Sequence, residues 1–101
     1  MIEKPGPNET DIEGKWIDVN GEIVGDPARN RIDRLTSEYL QKLGKDATGW
    51  DTLYRDPTDG RLWEEIYRSG HMHGGGPPSL FNISEAKAKE KYPTLFKVSE
   101  K

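Results

Sequence analysis

Residues 63–80 contain the feature that most constrains how this chain folds: three consecutive glycines followed directly by two prolines. Each glycine costs backbone entropy when it is ordered, so ordinary packing does not need three in a row. The same stretch joins an aromatic, charged strand to both histidines, His71 and His73. We expect a loop of unusual, fixed conformation, the kind of segment in which function concentrates. Its five residues are Gly74, Gly75, Gly76, Pro77 and Pro78.

The size and composition of the chain predict one domain with a small core. The chain has 101 residues, of which 32% are hydrophobic and 33% charged, so the core depends on its nine aromatic side chains. We expect residues 1–10 to form a flexible arm and residues 11–101 a single domain. A polar first segment and the lack of a long apolar run predict neither a signal peptide nor a membrane span. The absence of cysteine excludes disulfides and fits a cytoplasmic protein.

Charge is distributed unevenly along the chain. Residues 1–26 carry seven acidic and two basic side chains, although the net charge of the whole chain is only −3. This asymmetry disfavours nucleic acid and favours a basic protein partner. A surface that only keeps the protein soluble explains the charge equally well.

Local signals predict a first hairpin and then a helix. Residues 15–19 and 22–24 are rich in β-formers and flank Asn20-Gly21, a dipeptide that suits the positive φ angles of a two-residue turn. Asp26 followed by proline predicts a helix start, and Gly44 predicts its end. Five apolar residues fall within about 80° of one another on a helical wheel. They are Ala28, Ile32, Leu35, Tyr39 and Leu43.

A second hairpin is predicted from residues 50–55 and 61–68, joined by the turn at 56–60. Both faces of its second strand mix apolar with acidic residues, so neither face is plainly the solvent side.

The C-terminal part predicts a short strand over residues 79–83 and a brief helix over 85–91, with Ser84 as its N-cap. The predicted fold is therefore α+β. Its two hairpins and short strand form a small antiparallel sheet, one long amphipathic helix packs on that sheet, and a short helix follows near the C-terminus.

The residues give little support to catalysis or to a cofactor. Two histidines are too few for a zinc site, and no spacing identifies the carboxylates that would complete it. Glu64 and Glu65 are adjacent in a strand and point to opposite faces, so they do not form an acid–base pair. The prolines after the three glycines lack the N–H donors of a phosphate loop. Close passage of the loop past an aromatic ring, Trp63 or Tyr67, is the better interpretation. We predict no metal, no cofactor and no enzymatic activity.

Two segments resemble a known family. Residues 49–64 read GWDTLYRDPTDGRLWE, and residues 73–80 read HGGGPPSL. Together they resemble the immunity protein 27 family of bacterial polymorphic toxin systems. Residues 14–16 and the helix around Arg31 also fit that pattern, so the resemblance covers roughly residues 10–92. It implies a small cytoplasmic protein that neutralises a cognate toxin by binding it.

We expect inhibition by occlusion, in which acidic side chains enter a basic cleft of the toxin domain. The chain itself would be a monomer or a weak homodimer, without a nucleic-acid or membrane partner. Trp50, Trp63 and the glycine–proline loop are interpreted as structural. Predicted contact residues are acidic or histidine side chains: Glu13, Asp18, Glu22, Asp56, Asp59, His71 and His73.

Two other classes stay open. One is a small metal-binding enzyme that uses His71 and His73. The other is a toxin fragment or a structural module of a secretion system, which toxicity on expression would reveal.

Overall fold

Residues 4–67 and 77–96 are described by the structure, a computed structural model. Within these residues the chain forms seven strands, two α-helices, a π-helical turn and a 3-10 turn. In chain order they are β1 (Asp11–Glu13), β2 (Trp16–Val19), β3 (Glu22–Gly25), α1 (Pro27–Arg34), the π turn (Leu35–Tyr39), β4 (Gln41–Lys45), β5 (Thr52–Arg55), β6 (Leu62–Tyr67), β7 (Pro78–Ile83), α2 (Glu85–Lys91) and the 3-10 turn (Pro93–Leu95).

The strands form two separate antiparallel sheets. Five strands are arranged in the order β1-β7-β6-β5-β4, whereas β2, as far as residues 4–67 and 77–96 show, pairs with β3 alone. Both predicted hairpins are present, and Asn20 (φ 54°) and Gly21 (φ 85°) have the expected positive φ. The prediction that both hairpins belong to one sheet is wrong. The chain leaves the large sheet at Gly14, where a Cβ would lie 2.6 Å from the carbonyl oxygen of Pro78.

The predicted long helix is also wrong, although it begins where expected. Asp26 caps α1 by accepting a hydrogen bond from the Arg29 N–H at 2.8 Å. After Arg34 the chain makes one π turn, in which the Leu40 N–H donates to the Leu35 carbonyl at 2.7 Å. Leu40 then has extended backbone angles and leads into β4.

Two interactions explain why the helix ends early. The hydroxyl groups of Thr36 and Ser37 donate to carbonyl oxygens one turn back, which competes with regular helix geometry. Strand β4 then pairs with β5 along the sheet edge. Leu43, predicted on the apolar stripe of the helix, packs instead from β4 into the core on the other face.

The core has two parts, one on each face of the large sheet. Strand β6 contributes Trp63 to the first part and Leu62 to the second. Helix α1 covers the first face and α2 the second. Because both faces of β6 are covered, neither is a solvent face, and each carries apolar residues. The first part consists of Ile12, Ile32, Leu35, Leu40, Tyr54, Trp63 and Leu80, and the second of Leu53, Leu62, Ala88 and Tyr92.

The C-terminal part of the described chain follows the prediction. The short strand is present as β7, and Ser84 caps α2 by accepting from the Lys87 N–H at 3.2 Å. None of the helices within residues 4–67 and 77–96 is long and apolar enough to cross a membrane. The boundaries at residues 1–10 and 11–101 stay predictions.

Candidate protein-binding surface

The register of the large sheet gives the molecule two distinct ends. At one end lie Glu13, Thr52, Tyr67 and Pro78, and the β2–β3 hairpin continues from β1 there. We call this end, together with the hairpin, the hairpin end. At the opposite end lies the turn between β5 and β6, residues 56–60, which we call the turn end.

The exposed apolar side chains are concentrated at the hairpin end. The described residues include six large hydrophobic side chains that are at least 39% exposed, and four of them belong to the hairpin. Trp50, which is 70% exposed, lies two residues before Thr52, and Tyr67 ends β6 beside it. An exposed apolar patch of this kind is typical of a surface that binds another protein. The six are Trp16, Ile17, Val19, Ile23, Trp50 and Tyr67.

Three of the predicted acidic contact residues lie on the same surface. Glu13, Asp18 and Glu22 are all exposed. Asp18 is opposite Ile23 in the hairpin, and Glu22 is opposite Val19. The Asp18 Oδ1 atom accepts from the Gly21 N–H at 2.8 Å. Negative charge therefore alternates with apolar surface on both faces of the hairpin.

The base of the hairpin is attached to α1. The Arg29 guanidinium lies 5.0 Å from the centre of the Trp16 ring and bonds to Asp33 at 2.5 Å. The Asp26 N–H donates to the Lys15 carbonyl at 2.9 Å, and Asp26 Oδ1 accepts from the Lys15 N–H at 3.1 Å. These contacts fix the base of the hairpin, while the side chains nearer its tip remain exposed.

The two adjacent glutamates of β6 point to opposite faces, as predicted, and both are buried. Glu64 accepts from the Tyr92 hydroxyl at 2.7 Å and forms an ion pair with Lys91. Burial, followed by the hydrogen bond to Glu64, raises the pKa of Tyr92.

Glu65 has a different environment, below the exposed Tyr67. Its Oε1 atom accepts from the Tyr54 hydroxyl at 3.4 Å, and burial raises the pKa of its carboxyl group. Burial and the charge of Glu65 raise the pKa of Tyr54 to about 12. Because the two carboxylates point away from each other, they cannot act together on one substrate atom.

At the turn end, the carboxylates of Asp56 and Asp59 both accept hydrogen bonds from other groups of the same chain. Asp56 is only 1% exposed, and its Oδ1 atom accepts from the Tyr39 hydroxyl at 2.5 Å and the Thr58 N–H at 2.8 Å. Asp59 accepts from both the backbone N–H and the side-chain Nε of Arg61. The backbone hydrogen bond from Arg61 lowers the pKa of Asp59.

Two arginines connect the turn end to the N-terminal segment. Arg61 donates to the carbonyl oxygens of Gly6 and Glu9 at 2.7 and 2.8 Å. Arg31 donates to both carboxylate oxygens of Glu9 at 2.8 and 2.9 Å. Asp56 and Asp59 therefore belong to a self-contained network at the opposite end from Glu13, Asp18 and Glu22.

The residues interpreted as structural fall into three groups. Trp63 is fully buried in the core below α1, and Pro78 is buried opposite Tyr67, with Pro77 half-buried before it. Trp50, in contrast, is the most exposed large hydrophobic residue among those described. The predictions for the remaining motif and histidine residues lie outside the described residues: His71, His73, Gly74, Gly75 and Gly76.

The exposed apolar residues of the hairpin were not predicted as contact residues. The sequence nevertheless contained a signal for them. The segments WIDV and EIVG place apolar residues on both faces of the hairpin, and a two-stranded hairpin can bury only one of its faces. Among residues 4–67 and 77–96, no group of three metal-ligating side chains lies together.

Comparison with known proteins assigns this small α+β protein to a family. Residues 18–84, which run from the second half of β2 to the end of β7, match the family model described as immunity protein 27. The chain belongs to the immunity protein 27 family, which confirms the resemblance seen in its motifs. No curated protein and no solved structure matches the chain.

Proposed function

We propose that this protein neutralises a cognate bacterial toxin by binding it through the hairpin end. Membership of an immunity protein family supports a toxin partner. All six exposed large hydrophobic side chains of the described residues lie at the hairpin end, and this observation carries the choice of surface. At the other end, Asp56, Asp59 and Arg61 are already paired with groups of the same chain.

The chemistry of the surface favours a basic partner. Glu13, Asp18 and Glu22 surround apolar side chains, and Lys15 is the only basic residue between positions 11 and 26. A toxin that acts on an anionic substrate has a basic cleft, and an acidic hairpin is suited to occupy it. Inhibition by occlusion needs no catalysis by the immunity protein, so we propose that it acts as a stoichiometric inhibitor in the cytoplasm.

The complex should be tight. Immunity proteins of nuclease toxins are among the tightest known protein ligands, and nanomolar binding corresponds to about −12 kcal/mol. We expect Trp50 and Tyr67 to act as anchors in pockets of the toxin, because binding energy is concentrated in a few large aromatic side chains. The acidic residues around them would mainly accelerate association.

Co-expression with the protein encoded immediately upstream tests the proposal. We expect a stable complex and rescue of growth. A hairpin variant, Ile17→Ser with Val19→Ser and Ile23→Ser, should lose both. A control with serine at Arg55, Glu85 and Lys89, three exposed positions outside the hairpin end, should keep both. Rescue of growth by the hairpin variant would contradict this choice of surface, and so would loss of rescue in the control alone.

A further inference from the structure

The β2–β3 hairpin has backbone groups that the described chain does not use. Val19 and Glu22 flank a two-residue turn, so they form a hydrogen-bonded pair, and hydrogen-bonded pairs then alternate along the hairpin. The Asp26 N–H bond to the Lys15 carbonyl continues this alternation at the base. It follows that the backbone N–H and carbonyl groups of Ile23 on β3 point outward, away from β2.

The outer edge of β3 is more accessible than that of β2. On β2, the outward-facing residues are Trp16, whose ring lies under the Arg29 guanidinium, and Asp18, whose side chain bonds back to the turn. On β3, Ile23 exposes 65% of its side chain. No backbone group elsewhere in the described residues bonds to the Ile23 N–H or carbonyl. An open strand edge of this kind can pair with a strand of another chain.

We propose that the outer edge of β3 pairs with an extended, basic segment of the toxin, which becomes a third strand of the hairpin sheet. This inference rests on the proposed function and specifies how the hairpin end binds. Strand addition supplies affinity through backbone hydrogen bonds and specificity through alternate side chains. It also gives a two-stranded element, which is marginally stable alone, the third strand that it lacks.

Charge and register describe the segment that would fit. Residues opposite one another in neighbouring strands lie on the same face. On one face, the incoming residue beside Glu22 should be lysine or arginine. On the other face, the residue beside Ile23 should be apolar, with Asp18 one strand further away. The toxin segment should therefore alternate between basic and apolar residues, with a basic residue at the position that faces Glu22.

Two substitutions of Ile23 distinguish the contribution of backbone pairing to toxin binding from that of side-chain contact. Ile23→Pro removes the outward N–H without removing a hydrogen bond between β2 and β3, whereas Ile23→Ala keeps the N–H and shortens the side chain. The probe is the catalytically inactivated toxin domain encoded immediately upstream. We expect Ile23→Pro to bind at least tenfold more weakly than Ile23→Ala, because it loses a backbone hydrogen bond and the fit of the added strand. Equal affinities would overturn the inference.

Amide hydrogen exchange on the unsubstituted protein provides a second measurement that does not depend on the folding of a proline variant. The Ile23 N–H should exchange freely in the free protein and become protected in the complex. The Val24 N–H, already bonded within the hairpin, is the matched control and should be slow in both states. Unchanged exchange of Ile23 in a complex that forms would overturn strand addition while leaving toxin binding intact.

Two further outcomes separate this inference from its alternatives. If the unsubstituted protein does not bind the toxin domain at all, the proposed function fails, and strand addition fails with it. If the Ile23 N–H is already protected in the free protein at high concentration, and Ile23→Pro abolishes a dimer seen by sedimentation, the edge pairs with a second copy of the chain. Toxin pairing at this edge is excluded if that dimer persists when the toxin domain is bound.

Discussion

The turn end and the hairpin end of the sheet satisfy their surface groups in opposite ways. At the turn end, Asp56, Asp59 and Glu9 are bonded to partners within the chain. At the hairpin end, carboxylates and large apolar side chains are exposed side by side. The difference indicates that the residues of the turn end stabilise the fold, whereas those of the hairpin end are available to a partner. It also predicts that substitutions at the two ends will affect different measurements.

The largest expected effect is on stability, at the turn end. Asp56→Ala leaves the Thr58 N–H without its acceptor and takes one acceptor from the Tyr39 hydroxyl. We expect a loss of about 3 kcal/mol in the free energy of unfolding, measured with urea, because the variant loses two hydrogen bonds to a carboxylate, and such bonds contribute about 1.5–3 kcal/mol each. The control Asp59→Ala, in a partly exposed ion pair, should cost less than about 1 kcal/mol. Equal losses would show that the burial of Asp56 does not matter.

The next effect is on affinity, at the hairpin end. Trp50→Ala should weaken toxin binding by about 2 kcal/mol, roughly thirtyfold, and leave stability within about 0.5 kcal/mol of the original. Isothermal titration calorimetry and urea unfolding together measure both quantities. If Trp50→Ala instead unfolds the protein without changing affinity, Trp50 is structural, as the sequence had suggested.

A smaller effect concerns the rate of association. Replacing Glu13, Asp18 and Glu22 by alanine should slow association with the toxin about tenfold at low salt and reduce its dependence on salt. The matched control replaces Glu38, Glu85 and Glu90, which are also exposed, and changes the net charge by the same amount. If the control slows association equally, net charge rather than the position of the charges determines the rate.

The smallest effect is a pH dependence at the turn end. The hydrogen bonds from Arg31 lower the pKa of Glu9 below its ordinary value of 4.5. Folding is therefore favoured by the charged form, fully above pH 4.5, and this contribution is lost as the pH falls through the pKa of the folded state. Glu9→Gln should cost about 1 kcal/mol at pH 7 and progressively less below pH 4.5, by urea unfolding. A difference that stays constant down to pH 3 would contradict this role of the ion pair.

Elements set by local chemistry were predictable from the sequence. The hairpin turn needs only Asn20-Gly21, and both helix starts need only a capping side chain and its neighbours. The end of α1 was not predictable from periodicity. A helical wheel aligns Leu43 with the apolar stripe of the predicted helix. In the structure Leu43 belongs to strand β4, and its side chain packs into the second part of the core.

Elements that depend on distant partners were missed. Strand β1 has only three residues and exists because it pairs with β7, almost seventy positions away. The same holds for the proposed surface. The acidity of the hairpin is visible in the sequence, but only the strand order brings Trp50 and Tyr67 to the same end as the hairpin.

The pairing of β1 with β7 also has a consequence for protein synthesis. The hairpin can close within microseconds once residues 16–25 have left the ribosome, because its contacts are local. The pairing of β1 with β7 must wait for Phe81, the partner of Asp11, which the ribosome adds roughly 3–11 s after Gly25 at ordinary rates of translation. A nascent chain thus carries its proposed binding element before it has the scaffold that supports it. On the proposed function, only chains translated past residue 81 should protect a cell, so shortening the chain before that residue should remove immunity altogether.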